Sequence, residues 1–326
     1  MRERLIALPR ARHGTVITVG TFDGMHRGHA LVLERTADAA RRGELASVAL
    51  TFAPHPMEVV NPSAAPPLLT LWDEKLELLA QTTIDYVAVV PFTSHLARLT
   101  PEEFVDRVLI DRFDMRALYV GHDHGFGRGR AGDVESLRLI GGRRGFSVEA
   151  IDAVQGADGM PISSTAIRRA IAHGDLARAQ DGLGRRYGLT GRVVVGQGRG
   201  RHLGFPTLNL ALASGRKLLP PHGVYAVVVS TGRGIYGGMM NLGLRPTFGD
   251  DAVGLEVHAF DVAGDWHGDV VRVDFGARLR DTMRFAGGEA LSAQLERDAR
   301  AARFALTELL ASAKLKGSRA NTSSTS

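Results

Sequence analysis

A switch in pattern near Tyr187 constrains this chain more than any other feature. Before it, short apolar runs alternate with stretches of helical spacing; after it, short strands succeed one another with glycine-marked turns between. In the first half, Thr15–Gly20, Ser47–Phe52, Asp85–Pro91, Arg116–Val120 and Phe146–Ile151 read as strands. His29–Arg42, Asp73–Gln81 and Pro101–Ile110 read as helices, with Asp73 placed to cap the second and Thr100 the third. Strand, helix, strand at this spacing predicts a parallel sheet covered by helices, with ligands at the carboxyl ends of the strands. That directs attention to the residues just after Gly20, Phe52 and Val120.

In the second half, Gly191–Val195, Gly223–Ser230, Gly234–Met240, Leu255–Phe260 and Val270–Phe275 read as strands, with turn signals at Gly232, Gly243, Gly264 and Gly268. No long helical stretch separates them, which predicts a small antiparallel barrel or sandwich. Leu291, Leu295, Ala299, Ala302, Leu306 and Leu309 then step by three or four residues, the spacing of one packing face on a final helix over 287–313. The expected division is 1–186, 187–316 and a polar, disordered tail over 317–326.

Composition excludes several classes. With no cysteine among 326 residues, disulfide frameworks, thiolate metal sites and cysteine nucleophiles are out. The apolar run Leu5–Leu8 is too short for a signal-peptide core. The expectation is a cytoplasmic protein that engages no membrane. A net charge of +5, carried almost wholly by dispersed arginines, also argues against a nucleic-acid partner.

Gly20–His29 (GTFDGMHRGH) comes directly after the first strand and opens the first helix. Gly24 and Gly28 let backbone N–H groups approach an anion, the helix N-terminus adds partial positive charge, and His26 and His29 offer imidazole donors. No lysine is preceded by a glycine, so this is not a Walker loop. The plainer reading is a glycine-rich turn with two surface histidines. In the second half, Gly196–Leu210 (GQGRGRHLGFPTLNL) is a glycine-rich cationic segment, for which a long hairpin is by itself the favoured reading. Thr207 and Asn209 are two apart, so on a strand both lie on one face, and a hydroxyl with an amide oxygen suits Mg2+.

The HxGH pattern resembles the nucleotidyltransferase signature. GTFDGMHRGH with Thr51–Pro56 (TFAPHP), Val120–Asp133 (VGHDHGFGRGRAGD) and Ile162–Arg168 (ISSTAIR) resemble, in order, bacterial bifunctional riboflavin kinase/FAD synthetase. GFPTLNL, Pro221–Val227 (PHGVYAV), Gly238–Phe248 (GMMNLGLRPTF), Leu255–Phe260 (LEVHAF) and Leu279–Phe285 (LRDTMRF) are similar to the kinase half of that family.

The resemblance implies an N-terminal Rossmann-like nucleotidyltransferase domain and a C-terminal riboflavin-kinase-like barrel with a terminal helix. It implies phosphorylation of riboflavin to FMN, adenylylation of FMN to FAD with release of pyrophosphate, ATP at both sites and Mg2+. His26 and His29 would bind the ATP phosphates, with His29 closest to the reacting phosphorus and Phe22, Asp23 and Gly24 shaping the loop. Ser164, Thr165 and Arg168 would hold the triphosphate, with Ser163 capping their helix. Asp123 and Phe126 would line the flavin side, where His124 departs from the family's Phe. His55 is either a ligand contact or a turn histidine held between prolines. In the kinase half, Gly198, Arg199, Gly204, Phe205 and Thr207 would contact nucleotide, and Thr207 with Asn209 would hold the metal. Glu256 would be the catalytic base, although strand alternation also permits a plain outward-facing residue. Arg280 and Phe285 would contact flavin, and Arg245 would be structural or a phosphate contact. The alternatives are a kinase beside a weak or different nucleotidyltransferase, and a non-catalytic flavin-binding regulator.

Overall fold

The computed structural model describes residues 14–121, 132–196, 204–244, 253–262 and 264–322. The chain packs as two units, Met1–Ala166 and Ile167–Ser326, with the division inside a helix. The expected boundary at 186/187 lies about twenty residues further on, beyond the two helices that precede the change of pattern.

The N-terminal unit is built on a five-stranded parallel sheet of β1 Thr15–Val19, β2 Ala46–Ala53, β3 Tyr86–Pro91, β4 Met115–Gly121 and β5 Ser147–Ile151, in the order β3-β2-β1-β4-β5. α1 Arg27–Arg42, α2 Pro56–Val60 and α3 Trp72–Ala80 come between the first strands. α4 Pro101–Phe104, a π-helical segment Val105–Ile110 and α5 Asp111–Phe113 come after β3, and α6 Val134–Arg144 joins β4 to β5. The sheet is buried on both faces. Leu33 of α1 and Leu79 of α3 pack with Ala49 on one face, while Phe104, Val105, Leu109, Leu137 and Ile140 cover Val48, Leu50 and Phe52 on the other. The strands run outward from β1 to β3, and the chain then returns to place β4 on the other side of β1. The topological switch point therefore lies between β1 and β4, flanked by the segments that leave their carboxyl ends.

α7 Ser164–Ala172 and α8 Leu176–Leu183 lead into a closed antiparallel barrel. Its strands are β6 Gly188–Val194, β7 Leu208–Leu212, β8 Gly223–Thr231, β9 Gly234–Leu244, β10 Val253–Ala259 and β11 Val270–Arg280, in the order β10-β7-β6-β11-β8-β9. Alternation decides the two faces of the wall. Tyr225, Val227, Val229, Val257, Val273 and Phe275 are fully buried, whereas Ala226, Val228 and Met239 pack outward against Ala302 and Leu306 of the C-terminal helix α9 Gly288–Thr322.

Several expectations need correction. α1 begins at Arg27, because His26 caps it. α3 starts after Leu71, where the Glu74 carboxylate accepts the Leu71 N–H at 2.8 Å, so Asp73 lies in the first turn and is not the cap. Pro101–Ile110 is no continuous α-helix, although its Thr100 cap is present, paired with Glu103. Gly243 is no turn: it sits in β9, paired with Gly254 of β10. α9 runs to Thr322 across much of the expected tail, whose last residues, 323–326, lie outside the described set.

Candidate functional site

In the N-terminal unit the loop from Gly20 to His26 leaves the carboxyl end of β1 and is held by its own backbone. Phe22 and Met25 take positive φ (48° and 41°), as does Gly24 (83°). Only glycine fits at 24, since a Cβ there would lie 2.6 Å from Leu69 Cδ1. Non-glycine residues in the left-handed region cost energy that their surroundings must offset. Asp23 provides the offset. Its buried carboxylate accepts from the Leu69 N–H (3.1 Å), the Thr70 N–H (2.9 Å) and the Thr70 hydroxyl (3.1 Å). The Gly24 N–H donates back to Thr70 Oγ1 at 3.0 Å. Asp23 is therefore a staple of the loop.

His26 is the N-cap of α1, and its Nδ1 accepts the His29 N–H at 3.3 Å. An accepting Nδ1 carries no proton, so the neutral ring bears its hydrogen on Nε2. The His26 and His29 rings stack with centroids 3.6 Å apart, and Phe22 meets His29 edge-on at 5.5 Å. Gly28 leaves room for the His26 ring, which a Cβ would approach to 3.1 Å. Two imidazoles thus stand together at the N-terminal mouth of α1, where the helix adds partial positive charge.

Ser164 joins this loop, its hydroxyl donating to Asp23 O at 2.9 Å. Ser163 Oγ accepts the Ala166 N–H at 3.2 Å, the expected cap. Thr165 is exposed, and Arg168 lies one turn further along α7, past the division between the units. His55 caps α2: its Nδ1 accepts the Met57 N–H, and its own N–H donates to Glu58. The geometry therefore favours the turn-histidine reading. Asp123, His124 and Phe126 lie outside the described residues.

Sequence reasoning passed over Lys75. It is 8% exposed on α3, and its Nζ donates to Thr21 O (3.2 Å) and Thr51 Oγ1 (3.4 Å). Burial pushes this amine below its ordinary value, while Asp23 and Glu58 pull it back. Between Glu74 and Glu77 it reads as one more charge on a solvated helix face, so the sequence held no signal for it.

In the barrel, Glu256 pairs in register with Asn209 of β7 and with Asn241 of β9, and Asn241 pairs with Val224 of β8, which pairs with Arg280 of β11. Directly opposed residues of antiparallel strands share a face. Leu255 and Val257 are buried, so Glu256 stands on the outer face, half-buried, in one row with Arg280, Asn241 and Asn209. Asn209 is 7% exposed and packs against Gly196, where a Cβ would come within 1.9 Å of its Nδ2. Thr207 immediately precedes β7. His258, two residues beyond Glu256, donates from Nδ1 to Pro206 O at 2.8 Å and meets the Phe205 ring at 5.2 Å, tying the segment before Thr207 to β10. His258 was not singled out as a site residue, although alternation along LEVHAF sets it on the Glu256 face.

Arg280 is engaged on three sides. Its Nε and Nη2 donate to the buried carboxylate of Asp298 on α9 at 2.7–3.0 Å, and its Nη1 donates to Asp281 O at 2.8 Å. Its guanidinium lies 5.8 Å from the Phe285 ring. Gly204 takes φ +79°, while Gly198, Arg199 and Arg245 lie outside the described residues. No group of three or more His, Cys, Asp or Glu able to hold a metal occurs among the described residues. Among them, too, no helix is long and apolar enough to cross a membrane.

A parallel sheet with an imidazole-bearing loop at its switch point, followed along the chain by a closed barrel whose Glu256 stands between two amides, has the layout of a two-unit transferase, and the family patterns show that class. The FAD synthetase family pattern matches residues 8–166 and the riboflavin kinase pattern residues 183–306. The bifunctional riboflavin kinase/FMN adenylyltransferase of Escherichia coli (strain K12) is 39% identical over 301 residues, 91% of this chain and 95% of that protein. Its namesake from Pseudomonas fluorescens is 40% identical over 291 residues, 89% and 92% of the two chains. A solved structure described as a macrolide-efflux protein from Streptococcus pneumoniae superposes with a TM-score of 0.79 at 31% identity, covering 89% of this chain and 94% of that one. The chain belongs to the bifunctional riboflavin kinase/FMN adenylyltransferase family.

Proposed function

We propose that the chain phosphorylates riboflavin to FMN at the barrel and joins FMN to AMP at the N-terminal sheet, using ATP twice. The observation that carries this is that the two family patterns fall on separate folded regions, one bearing the imidazole loop and the other the Glu256 row. Presence of both patterns favours this over a kinase alone. We assign residues 1–186 to adenylyl transfer and 187–316 to phosphorylation. Small nucleotide substrates and a chain without cysteine fit a cytoplasmic setting.

In the N-terminal unit, a phosphate oxygen of FMN attacks the α-phosphorus of ATP and pyrophosphate leaves. The nucleophile is already anionic, so positioning and charge stabilisation carry the rate. The Nε2–H of His26 and the His29 ring take phosphate oxygens at the helix mouth, and Ser164, Thr165 and Arg168 hold the triphosphate. Asp123 and Phe126 are assigned to the flavin.

In the barrel, Glu256 takes the proton of the riboflavin 5′-hydroxyl as that oxygen attacks the γ-phosphorus and ADP leaves. Thr207 and Asn209 offer the hydroxyl and amide oxygens of a hard-ligand site, beside the glycine cradle at 196 and opposite a carboxylate. That set fits Mg2+, which keeps waters and phosphate oxygens in its shell and supplies charge neutralisation when bound. Gly198, Arg199, Gly204 and Phe205 shape the nucleotide side. Arg280 anchors the segment 280–285 to α9, leaving Phe285 the nearer flavin contact.

Purified chain supplied with riboflavin, ATP and Mg2+ should yield FMN and then FAD, separated by chromatography. FMN without FAD would leave the kinase reading alone standing.

A further inference from the structure

Lys75 keeps a cation where a helix packing on a sheet has no need of one. The residue is 8% exposed, and both oxygens that receive its ammonium are neutral, the Thr21 carbonyl and the Thr51 hydroxyl. Thr51 Oγ1 itself donates to Thr21 O at 3.3 Å, so two donors, the ammonium and this hydroxyl, converge on the first residue of the loop after Gly20. The Trp72 ring lies 4.9 Å from Nζ. Withdrawing an ammonium from water costs free energy that neutral oxygens return only in part. Asp23 and Glu58 lie close enough to favour the charge, but the oxygens of Asp23 already accept from Leu69 and Thr70, and Glu58 accepts from His55. A methionine of similar length would dock α3 without that cost. The charge gains a use only when an anion arrives on the loop whose inner side it supports, the loop that presents His26 and His29.

We propose that Lys75 is a positioning residue of the N-terminal site: its ammonium fixes the Thr21 carbonyl and stands as a buried positive charge at the base of the loop, balanced when a nucleotide polyphosphate binds. This rests on adenylyl transfer being the reaction of that unit. The charge acts on bound ATP before and during reaction, so its loss raises KM for ATP more than it lowers kcat.

The test uses the full chain with Lys75→Met, assayed for FAD formation from FMN and ATP, with FMN formation from riboflavin measured on the same preparation. KM for ATP in the first reaction should rise about tenfold or more, the scale of one nearby charge in a partly screened site. The second reaction should hold, and the unfolding temperature should not fall. A folded variant with KM within twofold of wild type overturns the proposal. So does a fall in kcat with KM unmoved and the unfolding temperature lowered, which marks a merely structural lysine. If the variant does not fold, the wild type decides. The chain has only four lysines, so 13Cε resonances of labelled lysine can be followed singly against pH. The Lys75 midpoint should move up when a non-hydrolysable ATP analogue is added, and an unmoved midpoint overturns the proposal. A wild-type chain that makes no FAD from FMN removes the assigned reaction and this inference with it. A working wild type beside an unaffected Lys75→Met removes the inference alone.

Discussion

Glu256 of β10 lies directly opposite Asn209 of β7 across the barrel wall, and the two share the outer face. This register brings a carboxylate beside the amide proposed to hold the metal, although the two residues lie far apart along the chain. An outward-facing Glu256 is therefore compatible with the base role proposed for it. The outer face here is graded: Asn209 is buried, Glu256 and Arg280 are half-buried, and Asn241 is exposed.

Glu256→Gln keeps the shape of the row and removes the proton acceptor. Riboflavin phosphorylation should fall by roughly 10²–10⁴, the usual worth of a general base. FAD formation from supplied FMN should stay at the wild-type rate. The two assays on one preparation decide it, and near-normal phosphorylation would take the base role from Glu256.

Gly196→Ala tests the cradle. The added Cβ would lie 1.9 Å from Asn209 Nδ2, so the amide or the strand must shift. Phosphorylation should weaken, and the Mg2+ concentration giving half-maximal rate should rise several-fold, because the oxygen of Asn209 moves with its amide. A magnesium titration of initial rates reads this directly. An unchanged titration would separate Asn209 from the metal.

His26 combines a cap with a ring, and two substitutions separate them. His26→Asn keeps an oxygen able to cap α1, while His26→Ala loses it and should cost about 1 kcal/mol more in stability. Both lack the Nε2–H and should lose FAD formation alike. Retained activity in His26→Asn would mean that the cap, not the imidazole, is what the reaction needs.

The Arg280–Asp298 pair joins β11 to α9 almost out of water, with side-chain exposures of 17% and 4%. Asp298→Ala strands the guanidinium and should destabilise the barrel unit by about 3 kcal/mol, within the usual range for breaking a buried pair. KM for riboflavin should rise as the 280–285 segment loosens. Urea unfolding and flavin titration measure the two effects. A loss of flavin affinity without loss of stability would return Arg280 to direct contact.

Both layers of the fold were legible in the chain because their periods differ: buried strands between helices before Tyr187, alternating strands after it. What escaped was local. α6 carries Gly141 and Gly142 with few apolar positions, so its pattern is faint, and Gly243 reads as a turn because only its pairing with Gly254 reveals a strand. Motif residues stood out because the chemistry needs them close in sequence, as His26 and His29 are. Lys75, Thr51 and Thr70 support the loop from other elements and have no sequence neighbour that betrays the contact. The same holds for Asp298, a carboxylate on an otherwise ordinary helix.

The alkaline stability of the N-terminal unit should carry the mark of Lys75. Burial holds its folded-state value below the 10.5 of the unfolded chain, against the pull of Asp23 and Glu58. Between those two values the unfolded chain binds more protons, so stability gained from this group rises with pH across that window, and below it the deficit is complete. Lys75→Met removes the dependence. The stability difference between variant and wild type should therefore favour the variant most near neutrality and shrink as pH approaches 10.5. Urea unfolding of both proteins at steps across this range, monitored by a probe of the N-terminal unit, gives the slope. A difference that stays flat, or grows with pH, would show that Asp23 and Glu58 fully compensate the ammonium, and the lysine would then need no nucleotide to balance it.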